Sequence, residues 1–128
     1  MERAITILVS HEVIDQRSLE LHRQMVLRLR DHPDLYDIAR QNLERWLLRN
    51  EKSPGLVRCY REWLQILASQ SREEVYHLIT SDTEEARRLR QNSPFVGILG
   101  QEEVLRIKRQ FHDSIAITKE VETVPKGE

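Results

Sequence analysis

One cysteine, four glycines, four prolines and seven aromatic residues (two Trp, three Tyr, two Phe) are all that this 128-residue sequence offers of several structurally decisive residue types. Cys59 stands alone, so no intramolecular disulfide can staple the fold, and stability has to come from helix packing or from a partner. The glycines, at 55, 97, 100 and 127, assemble neither a phosphate-binding Walker loop nor a GxGxxG fingerprint. Aromatic residues make up only 5% of the chain, too few for an aromatic-rich β-sandwich core. No stretch approaches the ~18–20 apolar residues that span a bilayer. The apolar run from Ala4 to Val9 stops at Ser10, His11 and Glu12, short of a secretory signal of roughly 7–15 apolar residues with a cleavage site. A cytoplasmic protein is expected. Charge of one sign is lacking too: twenty Lys and Arg face twenty-one Asp and Glu, a net charge of −1, so no global field draws the chain to nucleic acid or membrane.

What is there is helical periodicity, in a length that suits a single domain. An all-α bundle of five or six short helices with flexible terminal arms is expected, divided into an N-terminal arm (1–14), a helical domain (15–112) and a C-terminal tail (113–128). The first helix reads from Asp15 to Arg30, with Leu19, Leu21, Met25, Val26 and Leu29 as its apolar stripe. Pro33 is expected to open the second, whose inner face is Leu35, Ile38, Ala39, Asn42, Leu43, Trp46 and Leu47. Ser53-Pro54 reads as the cap and first-turn proline of a third helix carrying Leu56, Val57, Tyr60, Trp63, Leu64 and Leu67. Ser71-Arg72-Glu73-Glu74 and Ser81-Asp82-Thr83-Glu84 each fit a capping box, so two separately capped, mutually bent helices should follow. Pro94, Gly97 and Gly100 mark residues 91–100 as a loop, and Val104, Ile107 and Phe111 recur at helical spacing in a sixth helix. The β-branched segments 3–9 and 114–118 read either as a small ribbon or as a loose or helix-extending arm and an unstructured tail.

Residue types that do chemistry are scattered. The histidines, at 11, 22, 32, 77 and 112, include no pair at i, i+3 or i+4, so no metal site is expected, and His22 and His77 suit helix-side hydrogen bonds. Cys59 has arginine neighbours, as a nucleophilic thiol would, but its helix interior suits a packing residue. Carboxylate pairs at 73/74, 84/85 and 102/103, with Asp31, Asp34 and Asp37, fall in or beside first helical turns, where the helix dipole stabilises negative charge. No catalytic residue and no cofactor are assigned; an enzyme would need a cleft gathering His77, Cys59 or paired acids from distant stretches.

Arginine is the unusual component. Residues 84–112 carry six positive side chains (Arg87, Arg88, Arg90, Arg106, Lys108, Arg109) against four negative ones, a small surplus for phosphate binding. A helix-turn-helix built on the last two helices would need a join of about three or four residues where this loop has about ten, and the fourth helix opens on repulsive Glu73 and Glu74. The densest cluster of unusual choices is Leu89-Arg90-Gln91-Asn92-Ser93-Pro94-Phe95. It reads in two ways: an interaction hot spot with Phe95 as anchor and Arg90 as charged donor, or a plug in which Phe95, Ile98 and Leu99 close the bundle while Arg90 and Gln91 bind helix-end carbonyls.

This run resembles that of a group of small bacterial helical proteins carrying Leu-Arg-Gln-Ser-Ser-Pro-Phe before their final helix. The chain matches at Leu89, Arg90, Gln91, Ser93, Pro94 and Phe95 and departs at Asn92. Ala39-Arg40, Leu43 with Trp46, and Tyr60-Arg61-Glu62-Trp63 also look like that group, over roughly residues 20–112. The resemblance implies an antitoxin-like component of a toxin–antitoxin locus, with a separate toxin-like enzyme as partner. On that expectation the contacts are Arg90, Gln91, Ser93, Pro94, Phe95 and the terminal arms. The alternative is a DNA- or RNA-binding regulator using Arg87, Arg88, Arg106, Lys108 and Arg109, whose binding would fall steeply with salt.

Overall fold

The computed structural model describes the backbone of residues 2–111 and the side chains of residues 11–111. The fold is all-α: α1 (Glu2–Asp31), a 3-10 helix (Pro33–Asp37), α2 (Ile38–Arg49), α3 (Pro54–Ser69), α4 (Arg72–Ile79), α5 (Glu84–Arg90) and α6 (101–111), with no strand among the described residues.

Two boundaries differ from expectation. The first helix begins at Glu2 rather than Asp15, so residues 3–9 extend it and form no ribbon. β-branched residues cost only tenths of a kcal/mol each in a helix, and lengthening a helix already nucleated over Leu19–Leu29 is inexpensive. The expected tail and the 114–118 segment lie outside the described residues. Pro33 opens a 3-10 turn rather than α2: the Leu35 N–H donates to the His32 carbonyl at 3.0 Å, and Ile38 then starts α2 with no intervening loop. His32 supplies no side-chain cap, which favours the tighter turn at a proline start.

The caps divide similarly. Ser71 behaves as predicted: its Oγ accepts from the Glu74 N–H at 3.1 Å while the Glu74 carboxylate accepts from the Ser71 N–H at 2.8 Å, a reciprocal pair worth about 1 kcal/mol. The second box is displaced, because Thr83, not Ser81, caps α5 by accepting from the Ala86 N–H at 3.1 Å. The Ser81 hydroxyl instead donates to the carbonyl of His77 at the end of α4. Ser53 holds the N-cap position of α3 in extended backbone but makes no side-chain cap bond.

α2 packs against α3, and α1 packs against the 3-10 helix, α4 and α5. At the centre, wholly buried, lie Leu29, Leu43, Trp63, Val75, Ile79 and Phe95, one or more from each of α1 to α4 and one from the loop. Trp46 is half-buried at the edge, its ring 5.4 Å from that of Tyr60. No helix among the described residues is long and apolar enough to cross a membrane.

Candidate functional site

The Leu-Arg-Gln-x-Ser-Pro-Phe run is held by polar staples from three helices and the α4–α5 turn. The Asn42 amide, on the inner face of α2, donates to the carbonyls of Pro94 at 2.8 Å and Val96 at 2.9 Å. Trp63 Nε1 on α3 donates to the Leu89 carbonyl at 3.1 Å. From α1, His22 Nδ1 lies 2.7 Å from the Ser18 carbonyl and Nε2 lies 2.8 Å from Ser93 Oγ. A carbonyl can only accept, so Nδ1 carries the ring proton and Nε2 accepts from the serine hydroxyl. Ser93 Oγ in turn accepts from the Phe95 N–H at 3.3 Å. Arg90 Nη1 donates to the carbonyls of Ile79 at 3.2 Å and Ser81 at 2.7 Å, tying the end of α5 back to the end of α4.

Between these staples Phe95 enters the core. It has no exposed surface, with its ring 6.0 Å from that of Trp63 and 5.9 Å from that of Tyr36. The expectation of Phe95 as a surface anchor is therefore corrected, and with it that of Ser93 and Pro94 as contacts, since all three are buried. A phenyl ring beside Trp63 gains more from full burial than from display on a loop. Arg90 is also 95% covered at 5% exposure, and only Gln91 of the five expected contacts is exposed. The plug reading describes Phe95, Ile98 and Leu99, which are buried, and Arg90, which binds the Ile79 carbonyl at the end of α4 and the Ser81 carbonyl beyond it.

Donating to two loop carbonyls makes Asn42 the polar residue of α2 that ties it to the loop. Asn42→Ala strands the buried Pro94 carbonyl and frees the Val96 carbonyl, and a loss of about 2 kcal/mol is expected in urea unfolding, with an unchanged m-value. A loss near zero would show that the loop holds without α2.

The expected nucleic-acid residues are largely neutralised within the fold. Arg88 donates twice to Glu62, at 3.0 and 2.7 Å, and also to Glu85 at 2.6 Å, and these carboxylates push its pKa up. Arg87 pairs with Asp82 at 2.9 Å and Arg106 with Glu103 at 3.4 Å. Lys108 and Arg109 are exposed on α6. The five residues do not form one free basic face.

The packed loop leaves a cleft of about 480 Å³ beside it. Leu21 and Met25 of α1, Trp46 of α2, Tyr60 of α3 and Val96 of the loop supply its apolar lining, Asn50, Gln91 and Asn92 its neutral hydrogen-bonding groups, and Arg49 and Arg90 its positive charge. Val96, at 61% exposure, is presented to solvent next to a buried Phe95. The sequence did not mark this cleft, because its lining comes from four segments, and Val96 carries no signal in a loop dominated by its aromatic neighbour. Among the described residues no group of three His, Cys, Asp or Glu side chains is placed to hold a metal ion. No protein-family model, no curated protein and no solved structure matches the chain.

Proposed function

We propose that this chain is a non-enzymatic protein-interaction module of the cytoplasm, an antitoxin-like subunit that binds and restrains a partner enzyme. The observation that carries this reading is the cleft beside the loop, concave, lined by Leu21, Met25, Trp46, Tyr60 and Val96, and edged by hydrogen-bonding side chains that include Arg49 and Arg90. A buried apolar centre with a polar rim suits an apolar side chain of a partner protein. The nucleic-acid regulator is the weaker reading, because Arg87, Arg88 and Arg106 already satisfy carboxylates that a phosphate would have to displace.

The test is co-expression with the product of the adjacent reading frame, followed by size-exclusion chromatography with light scattering. A stoichiometric complex is expected, and Val96→Asp should weaken it at least tenfold while leaving the melting temperature within a few degrees, because an exposed side chain contributes little to folding. Absence of a complex, or one indifferent to Val96→Asp, would overturn the assignment of the cleft.

A further inference from the structure

Near the apolar cleft a second concavity, of about 390 Å³, lies where α1, α5 and α6 meet. Its charged lining is Arg17 and Asp15 of α1, Arg87 and Arg90 of α5, and Lys108 of α6, with His11 also present. Four fixed cations thus share one enclosure with a single carboxylate, in a chain whose net charge is −1. Asp82 offsets part of this surplus from outside the lining through its bond to Arg87 at 2.9 Å.

Arg90 is the unusual member. It is only 5% exposed, its Nε has no hydrogen-bond partner, and among the described residues it forms no ion pair. Its Nη1 is fixed by the Ile79 and Ser81 carbonyls, which orient the guanidinium but bring no compensating charge. Buried charges in folded proteins are as a rule paired, and arginine cannot escape by losing its proton. Asp15 and Asp82 act on Arg90 only through space, with no direct ion pair among the described residues. A buried cation held in place by backbone carbonyls, with no carboxylate in contact and in the lining of a cationic concavity, is the arrangement an incoming anion completes. The volume lies in the range of about 300–1,000 Å³ typical of small-ligand sites, and enclosure by three helices suits a terminal phosphate group rather than a duplex lying across a surface.

We propose that the concavity between α1, α5 and α6 binds the phosphate group of a phosphomonoester or diphosphate, with Arg17 and Lys108 as its contacts at the mouth and Arg90 beneath them. Guanidinium and ammonium together fit this chemistry, the first by directed paired donors and the second as a compact charge. The two concavities share Leu21, Arg90 and Gln91, but neither Arg17 nor Lys108 lines the proposed partner cleft, so the residues that test this site are distinct from it.

Titration calorimetry of the full chain with inorganic pyrophosphate, in a phosphate-free buffer of low ionic strength, tests it. Saturable 1:1 binding is expected, accompanied by a rise in melting temperature with ligand concentration. The double variant Arg17→Gln/Lys108→Gln should bind at least tenfold more weakly at an unchanged unliganded melting temperature, and Arg106→Gln, outside the concavity, should bind as the native chain does. If the double variant fails to fold, Lys108→Gln alone, at an exposed position, is expected to weaken binding severalfold. A short single-stranded oligonucleotide distinguishes the sources of phosphate: its displacement by pyrophosphate places a nucleic-acid phosphate in the same site. Oligonucleotide binding without pyrophosphate binding, no saturable pyrophosphate binding, or equal binding by native and double-variant chains would each overturn the proposal.

Discussion

Phe95→Ala is expected to destabilise the protein by about 3–5 kcal/mol, the range for removing a large aromatic side chain from a packed core. Against a total of about 5–15 kcal/mol for an ordinary domain, much of the fold's margin depends on this one loop side chain. The size follows from position: the ring has no exposed surface, meets Trp63 nearly edge-on at 82°, and lies beside Tyr36. Phe95→Leu keeps most of the volume and should cost considerably less. Urea unfolding followed by the fluorescence of Trp46 and Trp63 measures both, and a loss below about 1 kcal/mol for the alanine variant would contradict this packing. One practical result is that loss of partner binding in Phe95→Ala would not separate a lost contact from a destabilised fold, so Val96 is the informative position.

Acid should weaken the fold well above the range in which its carboxylates titrate. Burial pushes the His22 ring down from 6.5 to about 4, the nearby Arg90 charge adds to this, and the bond to the Ser18 carbonyl opposes it. Above pH 6.5 the ring is neutral in folded and unfolded chains alike, and the full stability is present. As pH falls from 6.5 towards 4 the unfolded chain binds a proton that the folded chain resists, and stability declines through that window by about 3 kcal/mol in all. Denaturation midpoints between pH 7 and 4 should trace this decline, and His22→Gln should flatten it. A slope unchanged in that variant would assign the acid sensitivity elsewhere. Asp37, Glu62, Glu73 and Asp82, held below their ordinary range by arginines, lose their contributions only at lower pH. Being exposed or nearly so, those ion pairs add little.

The legible parts of the fold were those written in local code. The apolar stripe of Leu19 to Leu29, the Ser71 capping box and the break across 91–100 each depend on residues a few positions apart, and each appears where its spacing places it. Boundaries failed where two local signals competed. Pro33 marked a helix start without distinguishing a 3-10 turn from an α-helix, and Ser81 looked like a cap that Thr83, two residues nearer α5, in fact provides. The loop stood out correctly as unusual, but its meaning depended on partners invisible to spacing. His22, Asn42 and Trp63 each looked like ordinary members of their own helices, and nothing local shows that all three bind one distant segment. The same holds for the concavity around Arg90, whose basic residues were grouped by their nearness in sequence, whereas Arg17 joins them only through folding.

Those staples also order events in time. His22 and Ser93 are 71 positions apart, and Asn42 meets Pro94 across 52. During synthesis α1, α2 and α3 therefore leave the ribosome with the central slot between them vacant and with the Asn42 amide and Trp63 indole lacking their native partners. Closure waits for residue 95, so a stalled or truncated chain ending before Phe95 would present an open core to chaperones and proteases.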